Sequence, residues 1–194
     1  MKKSFDVLLK EIQSCQVCKD QLPHSPNPVV SVSKESKILV IGQAPGTKVH
    51  NSGVPWDDAS GRNLRKWLGV SDEQFYDKSI FGIVPMGFCY PGKGKSGDLP
   101  PRPECAPLWH EQIFDHLSNV QLTLLIGLYA QNYYLGRTKM KTLTETVGNY
   151  EAYLPKKFMP LVHPSPRNGI WMRKNPWFDK IVVPALQEEV QRII

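Results

Sequence analysis

The chain has 194 residues, 41% of them hydrophobic and 22% charged, which is the composition of an ordinary globular protein and long enough for one domain spanning residues 1–194 with a sizeable core. No apolar run approaches the length needed to cross a bilayer, and the lysine-bearing start, broken by Lys10 and Glu11, does not read as a secretory signal, so the expected location is the cytoplasm. The net charge of +6 favours an anionic partner without naming one.

Residues 4–14 place Phe5, Leu8, Leu9 and Ile12 on one helical face. Cys15 and Cys18 follow, and then a proline-containing connector over residues 22–28. Residues 38–41 form a short β-branched run that ends at Gly42 and predicts a buried strand. A helix is expected over 61–68 and a second strand over 80–84. Residues 90–103 are rich in Gly, Pro and Lys and predict a loop. A helix is expected over 104–117, a strand over 122–126, a helix over 127–134 and a fourth strand over 158–162. The last helix opens at Asn175-Pro176, and Pro184 must kink or divide it. Strands alternating with helices predict an α/β fold of three layers, α/β/α, around a central, mainly parallel four-stranded sheet. Ligands of such sheets bind beyond the carboxyl ends of the strands. The loops after Ile41 and Val162 both sit there and are expected to share one cleft.

The first of these loops reads Gly42-Gln43-Ala44-Pro45-Gly46 and the last His163-Pro164-Ser165-Pro166-Arg167-Asn168. A glycine-rich turn after a strand is common, and a His-Pro pair is usually only a turn. In this order, on this alternating pattern, the two resemble the signature motifs of the uracil-DNA glycosylase superfamily. Residues 53–61, Gly-Val-Pro-Trp-Asp-Asp-Ala-Ser-Gly, resemble the segment after the first motif in its bacterial and archaeal families 4 and 5. The four cysteines match as well. Cys15 and Cys18 have two residues between them, while Cys89 and Cys105 have fifteen. This is similar to the pattern that holds a [4Fe-4S] cluster in those families, and four thiolates are the usual ligands of such a cluster. The same four thiolates would also suit zinc, and buried inert thiols are a third reading.

The resemblance implies a monofunctional DNA glycosylase acting as a monomer on DNA that contains deaminated bases. Such an enzyme rotates the nucleotide out of the helix and holds the base in a pocket. Trp56 stands where a stacking phenylalanine does in relatives, beside Gln43 and Ala44 as base contacts. His163 would donate to the departing base, where negative charge develops. Pro164, Ser165, Arg167 and Asn168 would meet DNA, with Arg167 as the wedge and Ser165 at phosphate. Lys93, Lys95 and Arg102 would add salt-sensitive affinity, or simply be solvated surface.

The sequence departs from the family at two points. Relatives carry an acid at the position of Gln43 or of Ala44, and this chain has none there. Asp58 falls on the proposed catalytic aspartate of family 5, although a helix N-cap is its plain alternative. The asparagine that reads uracil is also missing from the segment Val84-Pro85-Met86-Gly87-Phe88-Cys89, which implies a broader choice of deaminated bases. Two other readings stand beside the main one: a non-catalytic DNA-binding relative, and a nucleotide-processing α/β enzyme outside repair.

Overall fold

The computed structural model describes residues 3–194. Ser4 caps helix α1 (Phe5–Gln13), which buries Phe5, Leu8 and Ile12. Strand β1 (Ile38–Ile41) is followed by α2 (Thr47–Ser52), α3 (Ala59–Leu68) and α4 (Asp72–Tyr76), and then by β2 (Phe81–Ile83). Next come α5 (Cys105–Phe114), β3 (Leu122–Ile126), α6 (Leu128–Leu135) and α7 (Leu143–Gly148). Strand β4 (Phe158–Leu161), α8 (Gly169–Lys174) and α9 (Val183–Ile193) complete the described chain.

The four strands lie in the order β2-β1-β3-β4, and every pair is parallel. Their side chains alternate between faces, as the strand period requires. Ile38 and Val40 join Leu122, Leu124 and Ile126 in one core, closed by Leu64 and Leu68 of α3, Val147 of α7 and Leu186 and Val190 of α9. Leu39 packs on the opposite face with Phe5 and Leu8 of α1 and Trp109 and Ile113 of α5. Ile41 and Leu125 pack there too, against Ala130 and Leu135 of α6. Helices therefore cover both faces, and the fold is the three-layer α/β/α arrangement. Among the described residues, no helix is long and apolar enough to cross a membrane.

Two buried polar groups brace the carboxyl-end side of the sheet. Gln131 donates from Nε2 to the carbonyls of Leu125 (3.2 Å) and Leu161 (2.9 Å), tying β3 to β4. His110 is bonded through Nε2 to the Pro85 carbonyl (3.0 Å) and through Nδ1 to the Tyr134 hydroxyl. Burial pulls its pKa down to about 4, so the ring is neutral at neutral pH.

The last helical run is divided at Pro184, as expected. A π-helical turn over Phe178–Val182 precedes α9, and Pro184 falls in the first turn of α9, where a missing N–H is tolerated.

Candidate functional site

Beyond the carboxyl ends of β1 and β4 lies a cleft of about 400 Å³, a size typical of small-ligand pockets. The loop after β1 contributes Gly42, Gln43, Ala44, Pro45 and Gly46 to its wall. The segment before α3 contributes Pro55, Trp56, Asp58 and Ser60, and the loop after β4 contributes His163, Ser165 and Arg167. The two motif loops do share one cleft, as the strand pattern predicts.

Trp56 sits there at a conformational cost. Its φ is 59°, in the left-handed region that disfavours bulky residues, at a typical cost of about 1–3 kcal/mol. The surroundings hold it in place. Its ring lies over Gly42, where a Cβ would come within 2.8 Å of Cζ2. Its backbone lies against Gly61, where a Cβ would stand only 1.7 Å from the Trp56 carbonyl oxygen. That carbonyl accepts from Arg65 Nη1 at 3.4 Å. Arg65 is itself buried, paired with Asp72 (2.6 Å) and set over the rings of Phe75 and Tyr76. Sequence reasoning missed Arg65; a cation between Leu64 and Leu68 on the buried side of a helix was the available signal.

The Trp56 and His163 rings approach to 5.7 Å between centroids. Burial lowers the His163 pKa, and this outweighs the opposing pull of Asp58 and Asp98. The imidazole is therefore neutral at neutral pH and has one N–H to donate. Its backbone is held from behind, because Asn168 Nδ2 donates to the His163 carbonyl at 2.6 Å.

Asp58 takes the capping role and also faces the cleft. Its Oδ1 accepts from the Gly61 N–H at 2.8 Å and caps α3, while its side chain lines the cleft. The cap sets the start of α3 at Ala59, two residues before the expected start at 61. Gln43 donates from Nε2 to the Leu99 carbonyl at 3.1 Å and so fastens the 90–103 loop across the cleft mouth. That loop brings in Lys93, Gly97 and Asp98. Lys95 and Arg102 are not in the cleft wall. Arg102 instead pairs with Glu104.

The expected DNA-contact turn is divided by the structure. Arg167 is exposed at the cleft rim, and Ser165 Oγ accepts from the Arg167 N–H at 3.2 Å. Pro164 is buried, and its carbonyl accepts from Asn63 Nδ2 at 3.0 Å. Pro164 and Asn168 are absent from the cleft wall. Both brace the turn from inside, because their polar contacts are to the chain itself. Asn168 lines a smaller cavity behind it, with Trp171 and Leu143.

The four cysteines meet elsewhere. Cys15 and Cys18 follow α1, Cys89 follows β2 and Cys105 opens α5, yet all four line one narrow void with Phe88, Arg102 and Trp109. None is in a disulfide. Burial pushes the Cys89 thiol up to about 11 and the Cys105 thiol up to about 12, so both are neutral as they stand. The Trp109 Nε1–H is buried and has no partner among the described residues. Among those residues, no three or more His, Cys, Asp or Glu side chains already converge as a metal site.

The fold is a parallel α/β sheet with a cleft at its carboxyl ends, walled by a glycine-rich loop, a tryptophan and a neutral histidine. The model of the Uracil DNA glycosylase superfamily matches residues 30–187. The chain belongs to that superfamily, whose members act on DNA and are typically glycosylases. This sets aside the reading as a nucleotide-processing enzyme outside repair.

Proposed function

We propose that the chain is a monofunctional DNA glycosylase that removes uracil and other deaminated bases by hydrolysing the N-glycosidic bond. One observation carries this reading: Trp56, Asp58 and His163, from separate parts of the chain, wall a single cleft beside the first motif loop. A flipped base would stack on Trp56. His163 would donate its N–H to the base oxygen on which charge accumulates. Asp58, fixed by the α3 cap, would stabilise the cationic sugar. Lys93 and Arg167 at the rim would meet the backbone of the DNA.

The cleft also bears on the choice of base. Val29, Ile83 and Pro85 make part of its wall apolar, and no asparagine stands there to read a pyrimidine edge. We expect hypoxanthine or xanthine to be released as well as uracil. Excision from oligonucleotides carrying uracil, hypoxanthine, xanthine or a thymine mismatch tests this, and release of uracil alone contradicts it. A second reading, a relative that binds lesions without excising them, is favoured by Gln43 and Ala44 standing where relatives carry an acid. Binding without base release in the same assay would support it.

We further propose that Cys15, Cys18, Cys89 and Cys105 hold a [4Fe-4S] cluster, with zinc as the alternative. The donor set fits: four unpaired thiols line one void, and the unpartnered Trp109 N–H beside it is available to a cluster sulfide. The bound metal would draw the protons off the thiols and tie the segment after α1 to the loop before α5. The purified protein is expected to be brown, with broad absorption near about 400 nm. Replacing Cys89 or Cys105 with Ser should abolish the colour. A colourless protein containing zinc would contradict the cluster.

A further inference from the structure

Hydrolysis requires a group that takes a proton from the attacking water, and the first motif loop offers none at Gln43 or Ala44. Asp58 has one carboxylate oxygen already committed to the α3 cap. We propose that Asp98, delivered by the 90–103 loop, is the carboxylate that activates the water in this cleft. The assignment rests on the glycosylase reading above.

The loop is built to place this residue. Lys93 and Asp98 pair across an antiparallel bridge. The Gly94 N–H donates to the Gly97 carbonyl at 2.6 Å, and the Leu99 N–H to the Gly92 carbonyl at 2.8 Å. Gly92 has a φ of 102° and Gly97 a φ of 152°, both positive, which glycine permits. The bond from Gln43 to the Leu99 carbonyl then fixes this small hairpin to the first motif loop, one residue beyond Asp98. The result is close approach: a Cβ on Gly46 would stand 3.5 Å from Asp98 Oδ2. Gln43, which stands where relatives carry an acid, thus anchors the loop that brings a carboxylate into the same cleft.

The chemical environment suits the task. Asp98 lines the same cleft as Trp56, Asp58 and His163, and its charge acts on the His163 ring. Among the described residues, its carboxylate makes no hydrogen bond or ion pair, so both oxygens are open to accept. It is also exposed, in contact with the solvent that supplies the nucleophile.

The step balances as a hydrolysis. The water oxygen bonds to the anomeric carbon of the sugar as one of its protons passes to Asp98. The bond from that carbon to the base nitrogen breaks, and its electron pair leaves with the base. The leaving base is stabilised by the His163 N–H and then takes a proton from solvent, while Asp98 gives its proton up to solvent. Asp58 and Asp98 divide the carboxylate work, one fixed beside the sugar cation and the other open to water.

Single-turnover excision on a lesion-bearing oligonucleotide is the test. Asp98→Asn should slow base release by roughly 10²–10⁴-fold, the usual contribution of a general base. DNA affinity should be undiminished, since a negative charge is removed. Asp98→Ala should be slowed similarly and partly restored by added formate, a response that a merely structural residue would not give. An Asp98→Asn rate near that of the wild type overturns the assignment, as does a loss that formate fails to restore. A wild-type protein that releases no base from any lesion overturns the glycosylase reading and this assignment with it. An active wild type with an unaffected variant overturns the assignment alone.

Discussion

Replacing His163 with Ala is expected to slow base release by about 10²–10³-fold while leaving DNA affinity nearly unchanged. That range is the usual loss when one preorganised donor to a developing anion is removed. The donor is preorganised here. Its carbonyl is held by Asn168 and its ring lies beside Trp56. Burial lowers its pKa although Asp58 and Asp98 both pull the other way, so the ring stays neutral through neutral pH and no proton need be lost before it donates. In the proposed reading, the affinity of the free enzyme for DNA would rest on separate groups, Lys93 and Arg167 at the rim. Single-turnover excision beside a binding titration separates the two effects. His163→Asn, which keeps an N–H donor, should retain part of the rate.

The second large effect belongs to Gly61. A methyl group there cannot coexist with the present path of Trp56, because its carbon would lie 1.7 Å from the Trp56 carbonyl oxygen. Either the strained tryptophan or the first turn of α3 must move. Moving α3 also disturbs the Asp58 cap, whose donor is the Gly61 N–H. Overpacking of this severity costs about 3 kcal/mol, or roughly 6–12 °C in Tm for a chain of this size. Gly61→Ala is therefore expected to lower Tm by that amount and to lose excision more steeply than stability, since Trp56 and Asp58 shift together. Gly53→Ala provides the contrast. Gly53 has a φ of 71°, but a Cβ there would meet nothing within 4 Å, so only the backbone cost of about 1 kcal/mol applies. Thermal unfolding of the two variants checks the difference.

Much of the fold was legible because its signals are local. The run Ile38–Ile41 is β-branched and lies wholly inside the sheet, and Phe5, Leu8 and Ile12 mark one face of α1. The two motif loops were legible as a pair because both follow strands of one parallel sheet. Four short helices, α2, α4, α7 and α8, were not predicted. Two of these carried a readable sign. Ser71 with Gln74, and Thr142 with Glu145, form capping boxes at α4 and α7.

The site was legible where a residue sits in its motif and illegible where folding brings it from afar. Trp56, Asp58 and His163 could be named from the chain. Asp98 could not, because its place in the cleft depends on the Lys93–Asp98 bridge and the long-range bond from Gln43 to Leu99. Nor could the inward tie of Asn168 to the His163 carbonyl, which makes an expected DNA contact into a brace for the loop after β4. The cysteines show the same limit. Their spacing suggested a shared site, but only the packing of α1 against α5, with the segment after β2 beside them, brings all four to one void.

The central claim is that the cleft around Trp56, Asp58 and His163 releases a base from DNA. Incubating the purified protein with an end-labelled oligonucleotide carrying a single deaminated base, followed by alkali, measures this directly. Abasic sites should appear at the lesion, and the strand should remain whole until alkali is added. No abasic sites on any of the deaminated bases, or a strand cut by the protein alone, would contradict the account.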